Sequence, residues 1–270
     1  MKTIYIIISL SLSSYSADII SSVGTLIKKD HFKQIENLEK FILFGRNSKT
    51  RFNSCFKKSN KLAVGDCSGV LISPDSLLTA KHCVQKHENF CKNYHVVFDF
   101  NKINQDLDIS TLDNKIFYSK KIFELNKNIF NCEKVSYNSD NTDIAIIKLK
   151  KSPEGRKILK LSKAKNLDNN DSHFFGSSLG GPVEISSTAI FYSRLKNGES
   201  LYHNKVFRGS SGGPLINLKT SEIQGIISSS VQNEYFDEEQ GICILSKNNT
   251  PEMVSVVDPE TIRMSIQSLL

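Results

Sequence analysis

The sequence predicts an all-β chain in two comparable halves, and three observations carry that prediction. Short runs rich in β-branched and aromatic residues recur along the chain and are separated by Gly, Asn, Asp and Ser. A Lys- and Asn-rich stretch, residues 151–172, divides those runs into two sets and reads as a linker. Only the end of the chain reads clearly as helix, where Asp258 can cap a segment with Pro259 at its first position. Runs of this kind build a sandwich or a barrel.

The chain has 270 residues, 39% hydrophobic and 23% charged, enough for one large all-β domain or two small ones. Its formal charge of +7 comes from scattered lysines rather than a basic block, so nucleic acid is not an expected partner. At the start, Lys2 precedes an apolar stretch from Ile4 to Leu12, and Ser14 and Ser16 are the small residues a signal peptidase reads before Ala17. Residues 1–16 therefore read as a secretory signal, too short to be a membrane anchor. Residues 17–40 are polar and weakly patterned, with "KKDHFKQIENLEK" open to a helix, and read as an N-terminal extension or pro-segment.

From Phe41 the expected strands are "FILFG", "SGVLIS", "SLLTA", "HVVFDF", "KIFYSKKIFEL" and "DIAIIKL" in the first half. The second half supplies "HFFGSS", "EISSTAIFYSRL", "SLYHNKV", "PLIN", "EIQGIISSSV" and "GICILS". Six cysteines, at 55, 67, 83, 91, 132 and 243, allow up to three disulfides in an exported chain, with fifteen possible connectivities. Cys83, His87 and Cys91 also sit one helical turn apart, a spacing that resembles zinc ligation. Export argues for disulfides instead, and no metal or other cofactor is expected.

Two serine-glycine stretches invite a catalytic reading, "FGSSLGGPV" from Phe175 and "RGSSGGPL" from Arg208. A serine hydroxyl becomes a nucleophile only when a base takes its proton, an acid orients the base, and N–H groups receive the oxyanion. His82 in "LLTAKHCV" follows an apolar run, and Asp143 opens "DIAIIKL", where a carboxylate at a strand mouth can meet an imidazole from a neighbouring strand end.

"TAKHC", "DIAIIKL" and "GSSGGPL" together resemble the motifs of the trypsin/chymotrypsin-like serine endopeptidases, in that family's order His, Asp, Ser. The order differs from the subtilisin-like and α/β-hydrolase arrangements. The resemblance spans residues 41–270, with "FILFGRN" similar to the first strand of bacterial members. It implies two antiparallel Greek-key barrels (first about 41–150, second 173–270) with the site between them, a C-terminal helix, and peptide-bond hydrolysis of protein or peptide substrates; the signal-like start adds a secreted or periplasmic location, and a monomer is expected. His82, Asp143 and Ser211 would then be catalytic, Gly209 and Ser211 would supply the oxyanion N–H groups, and Ser228 would help orient Asp143. Ser178 comes too soon after Asp143 for this layout, so "FGSSLGGP" reads as a strand end and turn.

The same resemblance puts the substrate pocket near Lys205, Ser228, Ser230 and Gly241; a lysine floor would favour an acidic side chain, and a preference for small or neutral side chains stands equally open. It implies a Cys67–Cys83 bridge that pins the strand end carrying His82. Cys91–Cys132 would join two segments of the first half, leaving Cys55–Cys243. Ser210 stands where digestive members carry the aspartate that pairs with a newly cleaved N-terminal amine, so activation by N-terminal insertion is not expected. Two other readings differ in class: a catalytically idle binding protein of the same fold, and a quality-control protease resembling the HtrA group, whose members add a peptide-binding domain after the protease.

Overall fold

A computed structural model describes residues 17–35, 39–46, 62–100, 107–108, 117–119, 122–138, 142–163, 171–204, 206–231, 234–237, 242–245 and 253–269. Residues 1–16, Cys55, Lys205 and Gly241 lie outside these residues.

Six strands close the first barrel: β1 (Val23–Lys28), β2 (Gly65–Ser73), β3 (Ser76–Thr79), β4 (Tyr94–Val97), β5 (Ile129–Tyr137) and β6 (Ala145–Leu149). Their order round the barrel is β1-β2-β3-β6-β5-β4, and β1 pairs antiparallel with both β2 and β4 to close it. Phe98, Phe130, Tyr94, Leu77 and Ile147 fill the interior. Closure leaves no unpaired edge for another chain to add to.

The two-residue strand β7 (Lys160–Leu161) then leads to a second sheet of β8 (Ser172–Gly176), β9 (Glu184–Thr188), β10 (Ile190–Arg194), β11 (Glu199–His203), β12 (Pro214–Asn217), β13 (Glu222–Val231) and β14 (Met253–Val257). The order is β9-β8-β12-β13-β14-β11-β10, with β7 parallel to β13. β9 and β10 are one stretch of sequence broken at Ala189. Taken as a single bent strand, they give this sheet the connectivity of the first barrel, curled but not hydrogen-bonded shut.

A third cluster joins the two units. Ile19 and Val23 from the N-terminal segment, Val70, Leu78, Ile144 and Ile146 from the first barrel, Phe175, Ile216, Ile223 and Ile226 from the second sheet, and Ile262 from the C-terminal helix pack together, all buried. That helix, Pro259–Leu269, starts where Asp258 caps it: the carboxylate accepts the Thr261 N–H at 2.9 Å.

Four expectations need correction. The first barrel starts before Phe41: 17–21 form a helical turn, β1 is the barrel's first strand, and the stretch open to a helix holds a 3-10 turn (Lys29–His31) followed by a short strand (Phe32–Gln34). "FILFG" is not the first barrel strand. Lys40–Gly45 pairs with Phe32–Gln34, Phe117–Ser119 and Phe123–Glu124 in a small side sheet. "GICILS" does not enter the second sheet either: among the described residues Ile242–Leu245 pairs with Glu234–Asp237, and β14 takes the place beside β13. The linker reading of 151–172 also misses that Leu159 is buried and that Arg156 reaches back to the N-terminal segment.

Two predictions follow from this packing. A chain beginning at Phe41 lacks β1 and exposes one edge of both β2 and β4, so it is expected to lose near-ultraviolet circular dichroism and cooperative unfolding. His95, only 8% exposed, is pushed down to about 4 by burial and by repulsion from Lys29. The unfolded imidazole takes up its proton near pH 6.5 while the folded one resists, so stability present above that pH is lost as the pH falls towards 4. The loss is on the order of 3 kcal/mol, and urea titrations of wild type and His95→Phe should differ in slope across this window.

Candidate functional site

β3 ends at Thr79, and the chain turns at once into the helical turn His82–Gln85, whose Val84 and Gln85 N–H groups donate to the Lys81 carbonyl. Ala145, first in β6, pairs with Thr79. The strand ends bearing His82 and Asp143 are therefore neighbours by register. The Asp143 carboxylate accepts the His82 backbone N–H at 2.9 Å through Oδ1 and meets His82 Nδ1 at 2.8 Å through Oδ2. Ser228, in β13, donates its hydroxyl to Oδ2 at 2.8 Å. Burial pushes the Asp143 pKa up, but the His82 contacts and the Ser228 hydroxyl outweigh it and hold the carboxyl below its usual value.

Ser211 reaches the same place from the second unit. The Gly212 N–H donates to the Ile227 carbonyl at 2.8 Å, directly before Ser228, and the Ser211 carbonyl accepts the Ser68 N–H at 2.8 Å across the barrel junction. Gly212, at φ +78°, has no room for a side chain: a Cβ there would lie 2.2 Å from Thr79 Oγ1 and 2.3 Å from the Ser68 carbonyl. The serine loop is thus pressed onto the strand end that leads to His82.

Cys83 pairs with Cys67, and its Sγ lies 3.7 Å from both His82 Nε2 and the Ser211 carbonyl oxygen. His82 keeps 33% of its side chain exposed and Asp143 18%, so the imidazole faces the cleft while its acid is covered. Among the described residues no hydrogen bond joins the Ser211 hydroxyl to His82, a looseness common in ligand-free catalytic pairs.

Gly209 sits at φ +93°, where a Cβ would meet the Ser177 carbonyl at 2.3 Å. The N–H groups of Gly209 and Ser211 donate to no acceptor among the described residues. Ser178 lies in a 3-10 turn, Ser178–Gly180, after β8, as the strand-end reading expected. Its hydroxyl is 3.1 Å from that of Ser210, which is buried and neutral. Ser228 and Ser230 are half-buried in β13. Lys205 and Gly241, the other expected pocket residues, lie outside the described residues.

The expected bridges Cys67–Cys83 and Cys91–Cys132 are both present. Cys83 and Cys91 are thereby oxidised and offer no thiolate for the zinc-like spacing with His87. The Cys55–Cys243 pairing lies outside the described residues. Sequence reasoning missed Ser68, Ser177 and Thr25, buried hydroxyls behind the serine loop. Ser68 stands beside Cys67 in "DCSGV", and nothing in that string marks it as different from any other strand serine.

Two barrel-type sheets with these residues at their junction define the class of the two-barrel serine proteases. The trypsin-like peptidase domain family matches residues 67–226, and the chain belongs to that family. Among solved structures it is similar to the Rv3671c protease in its inactive form, at 16% identity and a TM-score of 0.53, over 97% of this chain and 95% of that one. The active form of the same protease, from M. tuberculosis, gives 17% identity and 0.52, over 94% and 83%. A serine endoprotease from Yersinia pestis gives 13% and 0.55, over 96% of this chain and 66% of that one. These likenesses describe the fold. No curated protein matches the sequence.

Cys67 and Cys83 close a loop with a sequence separation of 16. Replacing both with serine is expected to cost about 3 kcal/mol of unfolding free energy, read from denaturant titration of the double variant.

Proposed function

We propose that the protein is an exported serine endopeptidase that cleaves peptide bonds through an acyl-enzyme on Ser211. The observation that supports this most is the chain of contacts Ser228–Asp143–His82, with the Ser211–Gly212 peptide docked against the same strand end. Ser211 Oγ attacks the scissile carbonyl carbon, and its proton passes to His82 Nε2. The C–N bond then breaks, and His82 returns the proton to the leaving amine. Water, deprotonated by His82, attacks the ester, releases the acid and restores the Ser211 hydroxyl.

Asp143 fixes the tautomer with the proton on Nδ1 and stabilises the imidazolium. The Gly209 and Ser211 N–H groups receive the oxyanion, and a donor of that kind contributes about 3–4 kcal/mol to the transition state. Ser228 holds the Asp143 oxygen that faces His82. No cofactor takes part in these steps, and the partners are protein or peptide substrates of a monomeric enzyme.

Export rests on the signal-like residues 1–16 and the two disulfides, which persist outside reducing compartments. Among the described residues no helix is long and apolar enough to cross a membrane. Activation does not use N-terminal insertion. Ser210 carries no charge to pair with an amine, and the N-terminal segment is anchored elsewhere, its Ser21 carbonyl on Arg156 at 2.9 Å and its Ser22 hydroxyl on the Lys157 carbonyl at 2.5 Å.

Hydrolysis of an unfolded protein substrate provides the test. Ser211→Ala is expected to abolish it, and Asp143→Asn, which presents the wrong hydrogen-bonding face to His82, to lower kcat by about 10⁴-fold, as in the family's template. Ser178→Ala, which removes a hydrogen bond to Ser210, should retain hydrolysis. A folded wild-type protein that cleaves no substrate, or full activity in Ser211→Ala, would contradict the proposal and favour an idle binding protein.

A further inference from the structure

The two N–H groups assigned to the oxyanion belong to a loop whose buried residues, Gly209 and Ser210, carry no charge, so something other than an ion pair must hold its peptides in place. Buried hydroxyl residues pack around it, and one lies within it. Ser68, Thr25 and Ser177 are fully buried and Ser210 nearly so. Ser68 makes three contacts across the junction of the two units. Its hydroxyl donates to the Gly209 carbonyl at 2.8 Å and accepts the Ser177 N–H at 2.9 Å, while its own N–H donates to the Ser211 carbonyl at 2.8 Å.

One residue of β2 therefore grips the carbonyls on both sides of Ser210. The Ser177 hydroxyl is in turn 2.5 Å from Thr25 Oγ1 in β1, and the Thr79 hydroxyl donates to the Ser68 carbonyl at 2.6 Å. Ser68 is thus held from both neighbouring strands of a closed barrel, paired in register with Thr25 of β1 and bonded at its carbonyl to Thr79 of β3.

We propose that Ser68 is a positioning residue that holds the oxyanion loop in its working shape from the first barrel, so that the folded chain needs no newly freed amine to organise it. The proposal rests on the peptidase reading and names the device behind it. Two carbonyl oxygens fixed on either side of Ser210 leave the intervening peptides little freedom to turn. The left-handed φ of Gly209 adds a bend that a residue with a side chain rarely adopts. Every member of the network is a neutral hydroxyl, amide or carbonyl, so its grip on the loop does not change between acid and neutral pH. Leaving the Gly209 carbonyl without its donor would let the peptide turn, and a misplacement of about 1 Å at a reacting centre can cost about 100-fold in rate.

The test compares wild type with Ser68→Ala, Ser68→Thr and Ser172→Ala in the full chain. Ser172 is a matched control: it is equally buried and donates to Gln224, but it lies at the opposite end of β8 from Gly176. Ser68→Ala should lower kcat about 10- to 100-fold with little change in KM, and Ser68→Thr, which keeps the hydroxyl, should recover part of it. Ser172→Ala should lower the unfolding temperature while keeping kcat.

Amide hydrogen exchange across residues 207–213, measured on the same proteins, does not depend on turnover. It should quicken in Ser68→Ala and not in Ser172→Ala. Unchanged exchange in Ser68→Ala would overturn the proposal, whatever the activity, and so would a kcat equal to wild type in an active enzyme. If wild type hydrolyses nothing, the peptidase reading fails while the exchange comparison still decides the role of Ser68.

Discussion

The Ser211–Gly212 peptide rests on the strand ends of a different unit, and the arrangement of the site depends on that contact. Gly212 fits against Thr79 and Ser68 with no space for a methyl group, and the Ser211 carbonyl is bonded to Ser68. Thr79 also sets, through its pairing with Ala145, where Asp143 stands relative to His82. One strand end thus fixes the acid, the base and the serine loop together. The interfacial cluster around Ile19, Leu78, Ile144 and Phe175 keeps the two units at the distance that this contact requires.

Charge is used sparingly behind the site. The one carboxylate there, Asp143, is covered and hydrogen-bonded three times, so its desolvation is compensated. Behind the serine loop the contacts of Ser68, Ser177 and Thr25 are made by hydroxyls, amides and carbonyls. A buried ion pair is weak support and strongly destabilising when one partner is lost, whereas a satisfied neutral network carries a smaller penalty. The charged contact that does reach the N-terminal segment, Arg156 with Asp99 at 2.8 Å, lies instead at the Ser21 carbonyl. There it anchors the start of β1 rather than the loop.

Much of the fold was legible because the strands between Gly65 and Val97, and between Ser172 and Val231, are short apolar runs bounded by turn residues. The misses have physical causes. β1 is buried along nearly its whole length, since its successive side chains enter three different clusters, so it shows no alternation to read. β5 passes into solvent at Glu133 and Lys134 and loses its apolar signature there. β14 was overlooked in favour of "GICILS", because both are short apolar runs and pairing partners far away in sequence decide which of the two joins β13. The triad-like residues were legible from motif and order. The hydroxyls behind the loop were not, because a serine's role there is set by which carbonyl it meets across the barrel junction.

The central claim is that Ser211 is the nucleophile His82 activates. Peptide-level mass spectrometry after reaction with a fluorophosphonate tests it most directly, run beside a His82→Ala variant. The account predicts one phosphonylated residue, Ser211, and loss of the adduct when His82 is replaced. An adduct on Ser178, or on Ser211 at an undiminished rate without His82, would contradict it.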